Sequence, residues 1–370
     1  MKIPLPSSAD VGQIEVWVTS RPLRELVRAF GGAWPTGSLA KILSDLDVFS
    51  QGVWDFRAGQ ERHLARAKDF DPALSALVTA SCRALGLVDE EPPKNQTYTH
   101  ILVLGGLIRA CVQRPEYAAR LSSQVSADHV TALGSFRPLT DIEKSLGLRL
   151  GLGTPETEFE AMDAGMRLAF HLATPTETTA HARRYTSAPP SLAIPAKTSS
   201  PATQPQPAGT TAPQSTPPAT DPAPPGIPAG HPTPAPPDTA PPRQAIPAPP
   251  SSPATPPQPS APMRQQSAHP THTILAAPSR TPGRRANTAD TYRYWAENYS
   301  PTGRLLLVTS TAYVPFQHCD ALRVLGLEYG CEIDTVGLAP TALPFTPANY
   351  LQEVRSAIRS MRALHAVLTG

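Results

Sequence analysis

Two spacings of apolar residues alternate along this chain, and the switch from one to the other divides it. Over residues 20–90 the spacing is helical. Leu23, Leu26, Val27 and Phe30 share one stripe, and Ser38 is placed to cap a second helix carrying Leu39, Ile42, Leu43 and Leu46. A third helix has Asp71 as N-cap and Pro72 in its first turn. It carries Leu74, Leu77, Val78 and Leu85 on one face, with Gly86 to stop it. Trp54 and Phe56 are the expected anchors between these helices. Residues 1–95 are thus expected to form a helical region packing on an α/β domain, with a cap over a substrate as the other use of such a layer.

Beyond residue 96 the apolar residues come in short continuous runs. His100–Leu104 (HILVL) ends in Gly105-Gly106 and passes into the helical stretch LIRACVQRPEYAARL, and His129–Leu133 (HVTAL) ends in Gly134-Ser135. Thr154 and Pro155 open a helix with Phe159, Met162, Met166 and Phe170 inward. Far downstream the strand pattern returns in Arg304–Thr309 (RLLLVT) and Cys331–Val336 (CEIDTV), the latter ending at Gly337. Gln317–Leu327 is helical between them. Thr346-Pro347 caps a last helix with Leu351, Val354, Ile358, Met361 and His365 on its stripe. Buried runs alternating with helices predict parallel strands joined by right-handed crossovers. The expected fold class is α/β, a Rossmann-like three-layer parallel sheet with an N-terminal helical layer.

Composition breaks this pattern once. Between Pro189 and Pro282 lie 30 of the 46 prolines and no Phe, Trp or Tyr. Such a stretch cannot bury enough apolar surface to offset its ordering entropy, so disorder with polyproline II character is expected. Two strands cannot close a stable core alone. Residues 96–185 and 287–370 are therefore assigned to one domain, and 186–286 to a long insertion within it. Loop closure costs only about 0.6 kcal/mol per doubling of length, so removal of residues 190–280 is expected to leave folding intact. The PxxP segments Pro222–Pro225 and Pro234–Pro237 offer a protein partner an aromatic-groove ligand; a passive spacer is the plainer reading.

Charge and cysteine usage then narrow the function classes. Lys+Arg 32 against Asp+Glu 30 gives a net charge of +2, which supports neither nucleic-acid nor anionic-membrane binding. No uncharged apolar run approaches the ~20 residues of a membrane span, and MKIPLPSSADVG lacks a signal-peptide core. A soluble, cytoplasmic protein is expected. Cys82, Cys111, Cys319 and Cys331 form no C-x-x-C pair, against a disulfide framework or structural zinc. The ten histidines show no H-E-x-x-H motif, so no metal is expected and no cofactor is indicated.

In an open parallel sheet the ligand crevice lies beyond the carboxyl ends of the strands. That rule singles out Gly105, Gly106, Arg109 and Arg114 after the first strand, with Arg109 the better placed of the two cations. It adds Gly134, Ser135 and Arg137 after the second, and Thr309, Ser310, Thr311, Tyr313 and Gln317 after the third. Glycines, hydroxyls and arginines near helix N-termini suit an anionic or phosphate-bearing ligand. The two glycines serve a turn as readily as a ligand. Arg137, in the loop GSFRP, is the long cation best suited to a ligand. Glu143 and Glu158 could orient a ligand hydroxyl or hold a cation, or stand as solvated acids at a helix start. His318-Cys319-Asp320 point about 100° apart on a helix and form no relay.

The order of these motifs resembles the YdcF/SanA/ElyC domain family of unknown function. The resemblance rests on ILVLGG (Ile101–Gly106) followed by Arg109, a second strand ending at Gly134, Glu158 in TEFEAM, Asn287-Thr288 in ANTADTYRYW, and LLVTS (Leu306–Ser310). It covers about 96–175 and 284–340. Tyr313-Val314-Pro315-Phe316 stands where that family has a His and then Pro-Arg, and a helical layer replaces its N-terminal membrane segment. The resemblance implies a Rossmann-like small-molecule site without settled chemistry, to which Asn287 and Thr288 would contribute polar contacts. The expected function is binding of a nucleotide-like or phosphorylated ligand, with Tyr313 the one candidate proton donor. The other reading is a non-enzymatic adaptor that recruits a partner through the insertion.

Overall fold

The structure, a computed structural model, describes residues 2–7, 10–56, 69–185, 270–281, 286–340 and 345–370. Most of the proline tract, with both PxxP segments, lies outside the described residues. The runs read as strands are strands, and they join one seven-stranded sheet. Its members are β1 (Thr97–Leu104), β2 (Ser126–Ser135), β3 (Glu177–Thr178), β4 (Ala182–Tyr185), β5 (Thr271–Ala277), β6 (Arg304–Ser310) and β7 (Glu332–Leu338), in the order β3-β4-β5-β2-β1-β6-β7. The five strands β5, β2, β1, β6 and β7 are parallel, and β3 and β4 extend the sheet antiparallel at one edge. Residues upstream and downstream of the tract pair directly: His100 lies opposite Leu305, Val103 opposite Val308, and Leu133 opposite Leu275.

Alternation along the strands fills both faces. Ile101 and Val103 face α5 (Ala110–Leu121) and α7 (Glu158–Phe170), while Leu102 and Leu104 belong to the opposite core with α8 (Thr288–Tyr299), α9 (Val314–Ala321) and α10 (Pro347–Thr369). Where α5 and α7 cross, a side chain on Gly165 would stand 1.8 Å from the Cys111 carbonyl oxygen, so only glycine lets the backbones meet. The N-terminal layer is α1 (Val11–Val18), α2 (Arg21–Ala29), α3 (Leu39–Val53) and α4 (Pro72–Ala84). It packs on the α/β part through α10. Ser38 and Asp71 cap α3 and α4 as expected, and Gly86 stops the chain at φ 85°. Trp17 donates its indole N–H to Leu85 O across this layer, and Trp54 is wholly buried against Phe30 and Phe49.

Two boundaries differ from those expected of the sequence. Thr271–Ala277 lies within the stretch assigned to the insertion, yet it is β5, a parallel strand beside β2. Pro270 and Pro278 bracket it, and proline density masks a run of Thr, Ile and Leu that suits a buried strand. Further, α7 begins at Glu158 rather than at Thr154-Pro155, because Thr157 and Glu160 form a capping box there.

The hairpin β4–β5 shows how the insertion is attached. Tyr185 lies opposite His272, so the chain departs and returns on neighbouring antiparallel positions. Asp163 on α7 secures the departing end: the Tyr185 hydroxyl donates to its Oδ1 at 2.5 Å, and Arg183 pairs with its other oxygen. This attachment is at the amino end of β5, the sheet edge opposite the carboxyl ends of the parallel strands.

Two buried histidines tie stability to pH. His100 stacks on His129 at 4.6 Å and meets Trp295 edge-on. Burial, helped by the charge of His129, lowers its pKa to about 4. His318, contacting Thr335 Oγ1 and Pro6 O, is likewise lowered to about 4 by burial. Both are neutral when folded and take up protons on unfolding below pH ~6.5, so stability should fall as the pH drops from there toward 4, by roughly 2 kcal/mol for each histidine. Urea midpoints at pH 7 and pH 4.5 test this: His100→Phe, which keeps a ring there, should flatten the dependence, and an unchanged dependence would remove His100 from the account.

Candidate functional site

In chain order the parallel strands are β1, β2, β5, β6 and β7, so the spatial arrangement reads third, second, first, fourth, fifth. The order reverses between β1 and β6. In folds of this kind, that reversal opens a crevice at the carboxyl ends. Arg114 occupies it. The side chain is buried; Nη1 donates to Leu104 O at 2.8 Å and to Gly105 O, and Nε donates to Ser310 Oγ at 3.2 Å. Its guanidinium also lies over the Tyr313 ring, 5.4 Å from the centroid. One cation thus links the ends of both strands. Sequence spacing favours Arg109 over Arg114 for this place, and the helical phase reverses that order. With α5 starting at Ala110, residue 114 turns back beneath the strand ends. Arg109 stays half-buried at the N-cap position and makes no side-chain hydrogen bond or ion pair among the described residues.

Beside the crevice, a second cluster joins the end of β2 to two helix starts. Arg137 makes a two-pronged contact with Glu143 (2.8 and 2.9 Å) and donates through Nε to Glu158 at 3.4 Å. Its remaining N–H groups reach Pro138 O and Gly106 O, each at 3.3 Å. All five guanidinium protons are therefore engaged. Arg137 is not the open cation its loop suggests, and a ligand would have to displace these partners. Glu143 also completes the capping box of α6 (Asp141–Arg149) with Thr140 and accepts from Ile108 N. Burial alone would raise its pKa, but the hydrogen bonds and charge of Arg137 hold it below the ordinary carboxylate value. Burial would likewise lower the pKa of Arg137, and the two glutamates raise it instead.

Glu158, in the first turn of α7, is buried rather than solvated. Its Oε2 accepts the Ser135 hydroxyl at 2.8 Å. Its other oxygen lies where a side chain on Gly105 would stand: a Cβ there would come within 2.3 Å of Glu158 Oε1 and 2.8 Å of Leu133 O. A Cβ on Gly106 would crowd Ala110 at 3.1 Å and Arg114 Nη1 at 3.4 Å. The glycine pair thus makes room for a carboxylate on one side and a guanidinium on the other. Gly134 faces Phe159 and Met162 of α7 at ordinary contact distance.

The other expected site residues are spread along the same rim. Asn287 caps α8, its side chain accepting from Asp290 N at 3.0 Å, and Thr288 is the first helical residue. Thr309 is fully buried, with its hydroxyl donated to Gln317. Ser310 is half-exposed at the crevice, and Tyr313 is buried beneath Arg114 with Phe316 and Phe345 edge-on to its ring. The structure therefore brings Gly105, Gly106, Ser135, Arg137 and Glu158 together, links them through the glycine turn to Arg114, Ser310 and Tyr313, and leaves Asn287 and Thr309 in capping and packing roles. Glu143 had a signal that could have fixed its role: Thr140-x-x-Glu143 is a capping-box spacing. Cys319 lies buried, with its thiol pKa pushed up by burial, and His318 turns away toward Pro6. As expected, these neighbours form no relay.

Residues 5–86 match the family described as the Rv3785 N-terminal domain. The chain is similar to the uncharacterized protein Rv3785 of Mycobacterium tuberculosis strain H37Rv, at 27% identity over 97% of this chain and 90% of that protein. The uncharacterized protein Mb3814 of Mycobacterium bovis matches with the same figures. No solved structure matches. These findings overturn the resemblance to the YdcF/SanA/ElyC family. The matching family model falls on the helical layer, a region that resemblance did not cover, and the relatives that match nearly end to end are of the Rv3785 kind. A glycine turn after a first strand and an acid at a helix start are shared by many α/β sheets, and here they serve internal packing.

Proposed function

We propose that this chain is a small-molecule-binding α/β protein of the cytoplasm, taking a nucleotide-like or phosphorylated ligand at the carboxyl ends of its parallel strands. The observation that carries this reading is the reversal of strand order between β1 and β6. Arg114 links both strand ends there, and Arg109 beside them has no side-chain partner among the described residues. Arg109 is the cation available to an anionic group. Ser310 offers a half-exposed hydroxyl at the same crevice. Arg137 supports the reading only by holding Glu158 and Glu143 in place. Tyr313 is covered by Arg114, so no catalytic step is assigned to it.

A thermal-shift screen of the full chain with nucleotides, S-adenosylmethionine and sugar phosphates tests the reading. A ligand at about a hundred times its Kd adds about 2.7 kcal/mol, which raises the melting temperature by several degrees. Arg109→Ala should remove most of that rise while keeping the unliganded melting temperature. No response to any of these compounds would overturn the proposal.

The adaptor reading has one observation in its favour. The insertion is attached at the amino end of β5, away from the rim, so a partner there would leave the crevice open. A chain lacking residues 190–265 separates the two: the ligand response survives under the first reading, and partner binding is lost under the second.

A further inference from the structure

A basic depression lies away from the rim, on the seam between the N-terminal layer and the last helix. Arg355, Arg359 and Arg362 stand at i, i+4 and i+7 of α10, the spacing that puts three side chains on one helix face. With Asp47 and Gln51 of α3, and with Ala363 and Ala366, they line a depression of about 360 Å³. That is within the range of small-molecule sites. The three cations are unequally matched. Arg362 pairs with Asp47 at 2.5 Å, and Arg355 reaches Asp55 at 3.3 Å. Arg359, between them and exposed, makes no hydrogen bond or ion pair among the described residues. Asp320 of α9 feels its charge, but that half-buried acid already pairs with Arg323 at 3.5 Å.

Three guanidinium groups on one face repel one another, and two aspartates offset only two of them. We infer that the depression between α3 and α10 binds a multiply charged phosphoryl anion, with Arg359 as its principal contact and Arg355 and Arg362 on either side. The charge of the ligand follows from the competition: a monocarboxylate would merely replace Asp47 or Asp55, whereas a phosphoryl dianion or pyrophosphate can accept from Arg359 and a neighbouring arginine at once. The two alanines keep the floor low enough for a tetrahedral group to approach. Gln51 supplies a neutral amide for an oxygen that remains.

Titration calorimetry of the full chain with inorganic pyrophosphate, at constant ionic strength, tests this. Saturable binding is expected. Arg359→Ala, an exposed change that should leave folding untouched, is expected to weaken it by about tenfold. Asp47→Asn, which removes the competing carboxylate but keeps its shape, should tighten it a few-fold. Arg109→Ala at the rim should change nothing, which separates this site from the one proposed above. Absence of binding to the unaltered chain, full binding by Arg359→Ala, weaker binding by Asp47→Asn, or loss in Arg109→Ala would each overturn the inference.

Discussion

Removing residues 190–265 is expected to yield a folded, cooperative protein, and extending the same deletion to residue 280 is expected to yield none. The first cut falls between Tyr185 and His272, which already sit opposite each other in the β4–β5 hairpin. It shortens the connection from about 85 residues to about 9. At about 0.6 kcal/mol per doubling, this should stabilise the fold by up to ~2 kcal/mol through a smaller loop-closure cost. The second cut removes β5. The parallel sheet would lose the strand that pairs with β2 from His129 to Ser135, and with it Ile274, Leu275 and Ala276 from the cores on both faces. Composition alone makes the longer deletion look harmless, because it places β5 within the insertion. Circular dichroism and urea unfolding of the two truncated chains decide the matter. A cooperative transition in the longer deletion would mean that β5 is dispensable.

Arg137→Ala should cost about 3–5 kcal/mol, since it leaves two buried carboxylates, Glu143 and Glu158, without their shared cation. The sign of the pH effect checks the cause. In the unaltered chain the pKa of Glu143 is lowered on folding, so its contribution is present above the ordinary carboxylate value and is lost as the pH falls through the folded one. Without Arg137 the remaining carboxylates should favour protonation, and mild acid should restore part of the lost stability. Adding Glu143→Gln and Glu158→Gln to Arg137→Met should recover much of it at neutral pH, because replacing a buried ion cluster by neutral groups is far less costly than breaking it. Urea unfolding at pH 7 and pH 5 supplies both readings. A cost below ~1 kcal/mol would show the cluster to be open to solvent.

How much is legible in the chain depends on the range of the signal. Local signals carry far. Ser38, Asp71 and Thr346 cap helices where their spacing places them, and HILVL and RLLLVT are central parallel strands that pair with each other. Differences arise where context outweighs composition. Flanking prolines hide β5, and the short edge strands β3 and β4 carry no apolar alternation to betray them. The helix α6 escapes detection because Ile142 and Leu148 face solvent, leaving no stripe to find. The rim residues are legible as neighbours, but their partners are not. Whether Arg109 or Arg114 enters the crevice depends on where α5 begins. Whether Arg137 stays open depends on Glu143 and Glu158, 6 and 21 residues away in sequence.

The hairpin that carries the insertion also fixes how the domain would respond to force. Tension between the two ends of the tract would pull Tyr185 away from His272 and peel β4 from β5 like a zipper. Its few ladder bonds would then break one after another rather than together. The hold of Asp163 on Tyr185 and Arg183 would be the first to give way. The parallel strands beyond β5 would carry little of that load, so a tug on the tract would be taken up at this edge of the sheet before reaching the carboxyl ends of the parallel strands.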